Sequence, residues 1–445
     1  MQTADLYSVF LKYPVITTDS RNCPPNSIFF ALKGEKFDGN DYIEQALQNG
    51  AAFAVGDRTD LPQDNRIILV DDALLSLQNL ANYHRKQLNP AVIAVTGTNG
   101  KTTTKELIAA VLSSQCPVLF TQGNLNNHIG VPLTLLQLKP EHRFAVIEMG
   151  ANHPGEIREL CRIADPGFGL ITNVGKAHLE GFGSFEGVVR TKTELYDYIR
   201  EKGGTIFVNI DNPILMERSE NTHRIFYGAS PEAFIYGRIT GSGPGLELEW
   251  SLGTAEQSGN DKTVSLLKTR LIGNYNFENV LAAICVAVYF NIKAQLIASR
   301  QQINHTITGY TPVNNRSQEL KTQRNRLIVD AYNANPSSMQ VALDNFFNLN
   351  DSPKMVILGE MKELGKYSRE EHQKLVERLK ESAIDKVILC GENFQTVANP
   401  IPPQWAVFQN TQELLDYLHS GNFSGFHILI KGSRANQLEK TIEFL

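Results

Sequence analysis

Residues 95–104 read VTGTNGKTTT, directly behind the apolar run 91–95 and ahead of a stretch with helical spacing. That order leaves the chain little choice. A strand delivers the backbone into a loop in which Gly97 and Gly100 turn tightly and expose N–H groups. With the start of the following helix, these form a cradle for an anion such as a nucleotide's phosphates. Gly97, Thr98, Asn99, Gly100, Lys101, Thr102 and Thr103 are therefore the candidate nucleotide-binding set. Lys101 supplies a point charge for the outer phosphates, and the Thr102 hydroxyl suits a magnesium ion. Counted from Gly97 the spacing is shorter than the general G-x-x-x-x-G-K-[ST] pattern, so this is a variant. The bland alternative is a Gly/Thr-rich turn before an ordinary helix.

A chain of 445 residues exceeds what one hydrophobic core usually organises. Three segments are expected. Residues 1–88 mix short strands (27–32, 52–55, 66–70) with helical patterns (42–49, 74–86). Residues 89–308 carry strands over 91–96, 144–149, 169–174 and 205–210 between helices, the signature of a mainly parallel sheet covered on both faces. Short β-like pieces follow between 225 and 272, then a buried helix over 276–290. Residues 309–445 alternate again, with strands at 327–331, 354–358, 386–390 and 427–430 and helices at 372–380 and 412–419. The fold class is thus α/β in three domains: a small α/β N-terminal domain, a central P-loop ATPase-like parallel sheet and a C-terminal Rossmann-like domain. No Gly-rich phosphate fingerprint follows the first strand of the third segment, so it is expected to lack a nucleotide site of its own.

Composition narrows the partners. Hydrophobic residues make up 42%, charged residues 20%, and the formal net charge is −5, which gives no basic surplus for nucleic acid. Cys23, Cys116, Cys161, Cys285 and Cys390 are scattered without a CxxC pair, as reduced thiols of a cytoplasmic protein are. Residues 1–14 carry charges and no leader-type apolar stretch, and no apolar run is long enough to insert in a membrane. The expectation is a soluble, cytoplasmic chain.

Other polar groups must decide what the cradle serves. The strand 144–149 ends in Glu148, where parallel sheets place their ligands, and beside a phosphate loop its natural work is holding Mg²⁺. The alternative is a carboxylate serving the helix start over 154–159. His178 ends the segment 172–178, TNVGKAH; a lone histidine is more often a structural hydrogen bonder than a metal ligand. Lys192 falls on an amphipathic helix over 186–200, where a solvated lysine is the plain reading. An ammonium cannot bind a metal, but a lysine carbamylated by CO₂ can.

VTGTNGKTTT, Glu148, TNVGKAH and Lys192 together resemble the ATP-dependent Mur ligase superfamily of peptidoglycan synthesis. Within it, residues 329–339 (VDAYNANPSSM) resemble the member that adds D-alanyl-D-alanine, as do residues 123–136 (GNLNNHIGVPLTLL) and 29–39 (FFALKGEKFDG). The likeness runs from Thr18 to Arg434 in order. It implies that residues 1–88 bind a UDP-substrate, 89–308 bind ATP, and 309–445 close on the ATP and dipeptide site. It implies Lys101 and Thr102 at the β- and γ-phosphates, and Glu148, His178 and carbamylated Lys192 at two Mg²⁺ ions. Asn276 and Asn279, one helical turn apart, would read adenine, since an amide offers both donor and acceptor. Arg316 would reach the γ-phosphate and Asp330 the ribose–phosphate region, with Tyr332, Asn333 and Asn335 near the peptide substrates. Thr18, Asp19, Ser20, Arg21, Lys33, Gly34, Asp38 and Gly39 would hold the uridine nucleotide, and Asn124, Asn126 and Asn127 would face the same substrate. Lys431-Gly432-Ser433-Arg434 resembles the family's Lys-Gly-Ser segment.

The implied reaction is amide ligation between UDP-N-acetylmuramoyl-tripeptide and D-alanyl-D-alanine, catalysed with Lys101, Lys192, His178 and Arg316 by a monomer. Three departures stand out: Tyr275 where relatives usually have His, Thr193 where a glycine often follows the lysine, and Glu360 where Asp is common. Rival readings are a superfamily ligase with another acceptor, a P-loop ATPase that switches a partner, and a degenerate nucleotide-binding scaffold. The segment 330–336 disfavours the first, and the intact Lys101, Glu148, His178 and Lys192 disfavour the last.

Overall fold

The computed structural model describes residues 2–241, 245–253, 263–294, 299–312, 316–349 and 353–445. Among them the chain builds three main sheets, each with helices on its faces. The first is a four-stranded parallel sheet in the order Val15–Thr17, Ser27–Phe30, Ala51–Gly56, Ile67–Leu69. Its helix Ala73–Leu88 starts where the Asp72 carboxylate accepts from the Leu75 N–H at 2.8 Å, and stops where Asn89 turns left-handed at φ 47° before Pro90. Leu77, Leu80 and Ala81 bury one face of that helix. Its other side ties to the central lobe: Asn82 donates to the Arg162 and Ile163 carbonyls at 3.0 Å, and Arg85 to that of Asp165 at 2.8 Å. One apolar core therefore runs through both lobes.

The second sheet has nine strands among the described residues. Phe168–Ile171, Ala91–Thr96, Phe144–Glu148 and Val118–Phe120 lie side by side and parallel. The sheet is mainly parallel, as expected, and carries an antiparallel addition. Ile235–Ile239 pairs parallel with His223–Gly228, and Gly245–Leu252 and Ser265–Ile272 then extend the same sheet antiparallel. In Ser265–Ile272, buried Leu267, Thr269 and Leu271 alternate with exposed Leu266, Lys268 and Arg270. That half-buried period suits an antiparallel edge rather than a doubly covered parallel strand. The strand expected over 169–174 ends at Ile171, because Thr172 and Asn173 leave the ladder to hold the phosphate loop. Helix Asn276–Ala294 packs against the phosphate-loop helix Lys101–Ser113.

The third sheet runs in the order Gln318–Lys321, Arg326–Asp330, His427–Lys431, Lys354–Gly359, Lys386–Cys390, Trp405–Phe408. Only the first strand is antiparallel. No helix of the described residues is long and apolar enough to cross a membrane.

Candidate active site

A cavity of about 810 Å³ opens at the C-terminal ends of the central strands, where strand order reverses around Ala91–Thr96 and the third lobe abuts the second. Such a crevice is where open α/β sheets take ligands.

The phosphate loop forms its floor. Gly97 has φ +141° and Gly100 φ +78°, conformations L side chains rarely adopt. A Cβ on Gly97 would stand 2.0 Å from Thr172 Oγ1, and one on Gly100 2.5 Å from Asn279 Oδ1. The loop is held from the neighbouring strand end. Thr98 N–H donates to the Asn173 carbonyl (2.9 Å), Asn99 N–H to Asn173 Oδ1 (3.0 Å), and the Thr172 hydroxyl to the Asn99 carbonyl (2.6 Å). Thr98, Asn99, Gly100, Lys101 and Thr103 line the cavity. Lys101 Nζ donates to the Gly97 and Thr98 carbonyls at 2.8 and 3.0 Å. Burial pushes its ammonium down to about 8; Glu148 opposes that shift and Arg316 adds to it.

Glu148 is 2% exposed at its strand end. One oxygen accepts from the Thr102 hydroxyl and the other from Asn126 Nδ2, each at 2.9 Å, while its N–H donates to Thr121 Oγ1 at 2.9 Å. These donors are neutral and leave the carboxylate's charge uncompensated at contact distance, which a hard cation would satisfy. Lys192 is also buried, 2% exposed, with Nζ 3.3 Å from the Ala151 carbonyl and 5.4 Å above the Phe182 ring. Burial drives its pKa well below the usual lysine range. The Lys101 charge adds to this and Glu156 and Glu194 resist it. The plain reading of a solvated helix lysine therefore fails. His178 lines the cavity with backbone φ +50°, its Nδ1 set against the Glu363 carboxylate of the third lobe. Among the described residues no cluster of three His, Cys, Asp or Glu side chains stands ready to hold a metal. Thr102 and Glu148 fit Mg²⁺ as oxygen donors, and His178 lines the same cavity as a candidate nitrogen donor.

The third lobe supplies the facing wall. Arg316, Asp330, Tyr332, Asn333 and Asn335 all line the cavity. The Arg316 guanidinium stacks 3.9 Å from the Tyr332 ring centroid. Asp330 pairs with the buried Lys431 at 2.5 Å. Asn335 caps helix Pro336–Phe347 by accepting from Ser338 N–H at 2.8 Å, and its amide donates across the cleft to Asn99 Oδ1 at 2.9 Å. Asn124, Asn126 and Asn127 line the opposite side. Asn276 and Asn279 line it too, but their amides are already engaged. Asn276 donates to the Ile272 carbonyl (2.8 Å), Asn279 donates to Asn276 Oδ1 (3.0 Å) and accepts from Thr104 (3.0 Å). They brace the helix against the phosphate loop. Tyr275 is hydrogen-bonded to Ser317 Oγ, so this departure ties the helix start to the third lobe.

Comparison with known proteins agrees with this geometry. The family descriptions "Mur ligase family, catalytic domain", "Mur ligase middle domain" and "Mur ligase, glutamate ligase domain" match residues 12–112, 95–287 and 315–434. The UDP-N-acetylmuramoyl-tripeptide–D-alanyl-D-alanine ligase of Escherichia coli is 34% identical, covering 99% of this chain and 95% of its own. The Bacillus subtilis ligase of the same name is 33% identical over 97% and 92%. The chain belongs to the Mur ligase family. Among solved structures, MurF from Acinetobacter baumannii superposes with TM-score 0.84 at 30% identity, covering 96% of this chain and 92% of that one. MurF ligase from Thermotoga maritima in complex with ADP gives 0.83 at 26% identity, over 98% and 97%.

The residues expected in the first lobe of this Mur ligase lie apart from the cavity lining. Thr18 is exposed. Asp19 accepts both Arg21 nitrogens at 2.9 Å, and those hydrogen bonds pull its carboxyl down to about 2. Ser20 donates to Gln45 at 3.0 Å, Lys33 pairs with Asp57 at 2.9 Å, Asp38 accepts from Asn40, and the hairpin Lys33–Gly34/Phe37–Asp38 leads into Gly39. Sequence reasoning missed Thr121, Asn173 and Glu363. Asn173 lies inside the TNVGKAH segment and had a signal. Thr121 and Glu363 had none, because they act through partners distant in sequence.

Proposed function

We propose that this Mur ligase joins D-alanyl-D-alanine to UDP-N-acetylmuramoyl-tripeptide with ATP, as a cytoplasmic monomer making a peptidoglycan precursor. The observation that carries the reading is a single cavity floored by the phosphate loop and walled by residues 330–335 of the other lobe. That wall carries the D-A-Y-N-A-N segment, and the ligases named for this reaction are similar along nearly the whole chain.

The tripeptide's terminal carboxylate oxygen attacks the γ-phosphorus, and the bond to the β–γ bridging oxygen breaks to release ADP. The dipeptide's amine then attacks the acyl phosphate carbon, and phosphate leaves from the tetrahedral intermediate as the amine loses its proton. The physical difficulty is bringing one anion to a polyanion. Lys101 from below and Arg316 from the facing lobe neutralise the phosphoryl oxygens, while the loop N–H groups fix the triphosphate. Glu148, Thr102, His178 and Lys192 in its carbamate form would hold two Mg²⁺ ions. Such ions supply Lewis-acid polarisation of the phosphoryl oxygens when bound. Carbamylation adds the Lys192 nitrogen to CO₂ with release of one proton, and it needs the neutral amine that burial favours. The Asn276–Asn279 wall takes the adenine side, Asp330 the ribose side, and Tyr332, Asn333 and Asn335 the peptides. Thr18 to Arg21 and Lys33 to Gly39 take the uridine end, with Asn124, Asn126 and Asn127 between the two. Docking of the third lobe keeps water from the acyl phosphate.

The test is ATP-dependent ligation with lysine- and diaminopimelate-containing UDP-tripeptides, products identified by mass, and hydroxylamine added to trap the activated acid. A dipeptide adduct and a hydroxamate are expected. ATP consumption with neither would refute the proposal.

A further inference from the structure

His178 and Glu363 are both non-glycine residues in the left-handed region, at φ +50° and +62°. Each such residue costs roughly 1–2 kcal/mol relative to ordinary backbone. The contact between their side chains does not offset that. The Glu363 side chain is 54% exposed, and exposed pairs contribute about 0–1 kcal/mol. Stability alone therefore does not account for the arrangement, and strained backbone of this kind gathers at functional sites.

The surroundings show what holds it. Glu363 lies on the third-lobe loop after strand Lys354–Gly359, and its carbonyl accepts from Glu180 N–H of the second lobe at 3.3 Å. Lys176 N–H donates to Ser337 Oγ at 2.9 Å, and its ammonium meets Glu371 at 3.3 Å. Residues 176–180 and 363–371 thus form one docking contact between lobes, with the His178 ring at its centre. That ring is 24% exposed and meets Phe182 edge-on, with centroids 6.2 Å apart. Its Nδ1 is buried against the Glu363 carboxylate and has no other polar partner among the described residues.

A neutral imidazole that donates Nδ1–H to a carboxylate carries its lone pair on Nε2 and cannot spin freely. We infer that Glu363 orients His178 for the cation site, so that this ligand is presented only when the third lobe docks onto the second. Glu363 is a positioning residue: it acts through the imidazole and touches no reacting atom. The inference rests on the proposed reading of His178 as a cation ligand.

Mn²⁺ binding to the full chain, followed by electron paramagnetic resonance with a non-hydrolysable ATP analogue present, reads the effect without turnover. Loss of such an outer partner usually costs about 10–100-fold in metal affinity. Glu363→Ala is expected to weaken Mn²⁺ binding about tenfold, and His178→Ala at least as much. Glu363→Gln, whose carbonyl still accepts the Nδ1–H, should recover most of the loss. Unchanged affinity in Glu363→Ala overturns the inference. Equal loss in Glu363→Gln and Glu363→Ala also overturns it, since carboxylate charge rather than orientation would then be the cause. Unchanged affinity in His178→Ala removes the ligand role itself. Ligation by the wild-type chain is scored separately, so failure of the proposed reaction and failure of this inference remain distinct. Glu363 is half-exposed, and its variants are expected to fold.

Discussion

Replacing Gly97 by alanine probes the phosphate loop through two separable effects. The first is backbone: φ +141° lies where L residues are strained, at a cost of about 1–3 kcal/mol. The second is a collision, because the new Cβ would stand 2.0 Å from Thr172 Oγ1. Thr172 is buried, 3% exposed. Moving it breaks the 2.6 Å hydrogen bond from its hydroxyl to the Asn99 carbonyl, a further loss of about 1 kcal/mol. Together these make the cradle conformation about 2–4 kcal/mol harder to hold, which is about 30- to 700-fold in nucleotide affinity. Titration of a fluorescent ADP analogue measures this directly. Thr172→Ala alone removes the hydrogen bond and should weaken binding about fivefold. In Gly97→Ala/Thr172→Ala the collision is gone, while the backbone strain and the missing hydrogen bond remain. The double variant should therefore bind about fivefold tighter than the sum of the single effects, a coupling of about 1 kcal/mol. A Gly97→Ala affinity within about threefold of wild type, or strict additivity in the double variant, would refute the reasoning.

Lys192→Ala should abolish ligation, and short carboxylic acids should partly restore it by placing an oxygen anion where the carbamate stood; absence of any rescue, with an unmodified amine seen by mass in the active enzyme, would remove the carbamate. Lys101 gives a pH prediction for the nucleotide-free, chelated chain. Its folded pKa is depressed to about 8, so between that value and the usual lysine range the unfolded chain binds more protons and stability rises with pH. The penalty is fully present below pH 8. Wild type should gain thermal midpoint relative to Lys101→Met as pH climbs above 8, and parallel melting profiles would contradict the assigned burial.

The strand–loop–helix at residues 91–113 was legible because a buried parallel strand needs an unbroken apolar run and the turn needs glycine, both local requirements. Most strand positions followed from the same periodicity. The antiparallel extension over 245–272 was not, since pairing direction depends on what lies alongside, and short alternating pieces leave that open. Glu148 was readable as a strand-end carboxylate. Its neutral partners Asn126 and Thr121 were not, because they lie 22 and 27 positions away. Lys192 shows the limit most clearly: the amphipathic pattern of its helix allowed a solvated face, and only tertiary packing put the amine 2% exposed. The amides of Asn276 and Asn279 likewise suggested a ligand contact from their spacing, whereas the fold also spends them on the phosphate loop.

The distribution of positive charge explains why the site needs two lobes. Lys431, though buried at the cavity wall, is neutralised by Asp330 at 2.5 Å. On the proposed reading, Lys101 and Arg316 would be left to face the triphosphate; both line the cavity, one from each lobe. Arg316 is steadied by the Tyr332 ring at 3.9 Å, so the third lobe delivers a pre-oriented guanidinium. A nucleotide on the phosphate loop alone would meet only Lys101, whose ammonium burial already disfavours. Binding of the polyanion repays that desolvation, and arrival of Arg316 lowers the repulsion felt by an incoming carboxylate. The contact from Asn335 to Asn99 at 2.9 Å ties the peptide-side wall to the same loop. On that reading phosphoryl transfer would be coupled to lobe docking, since the charge balance it needs would exist only with both walls around the substrate.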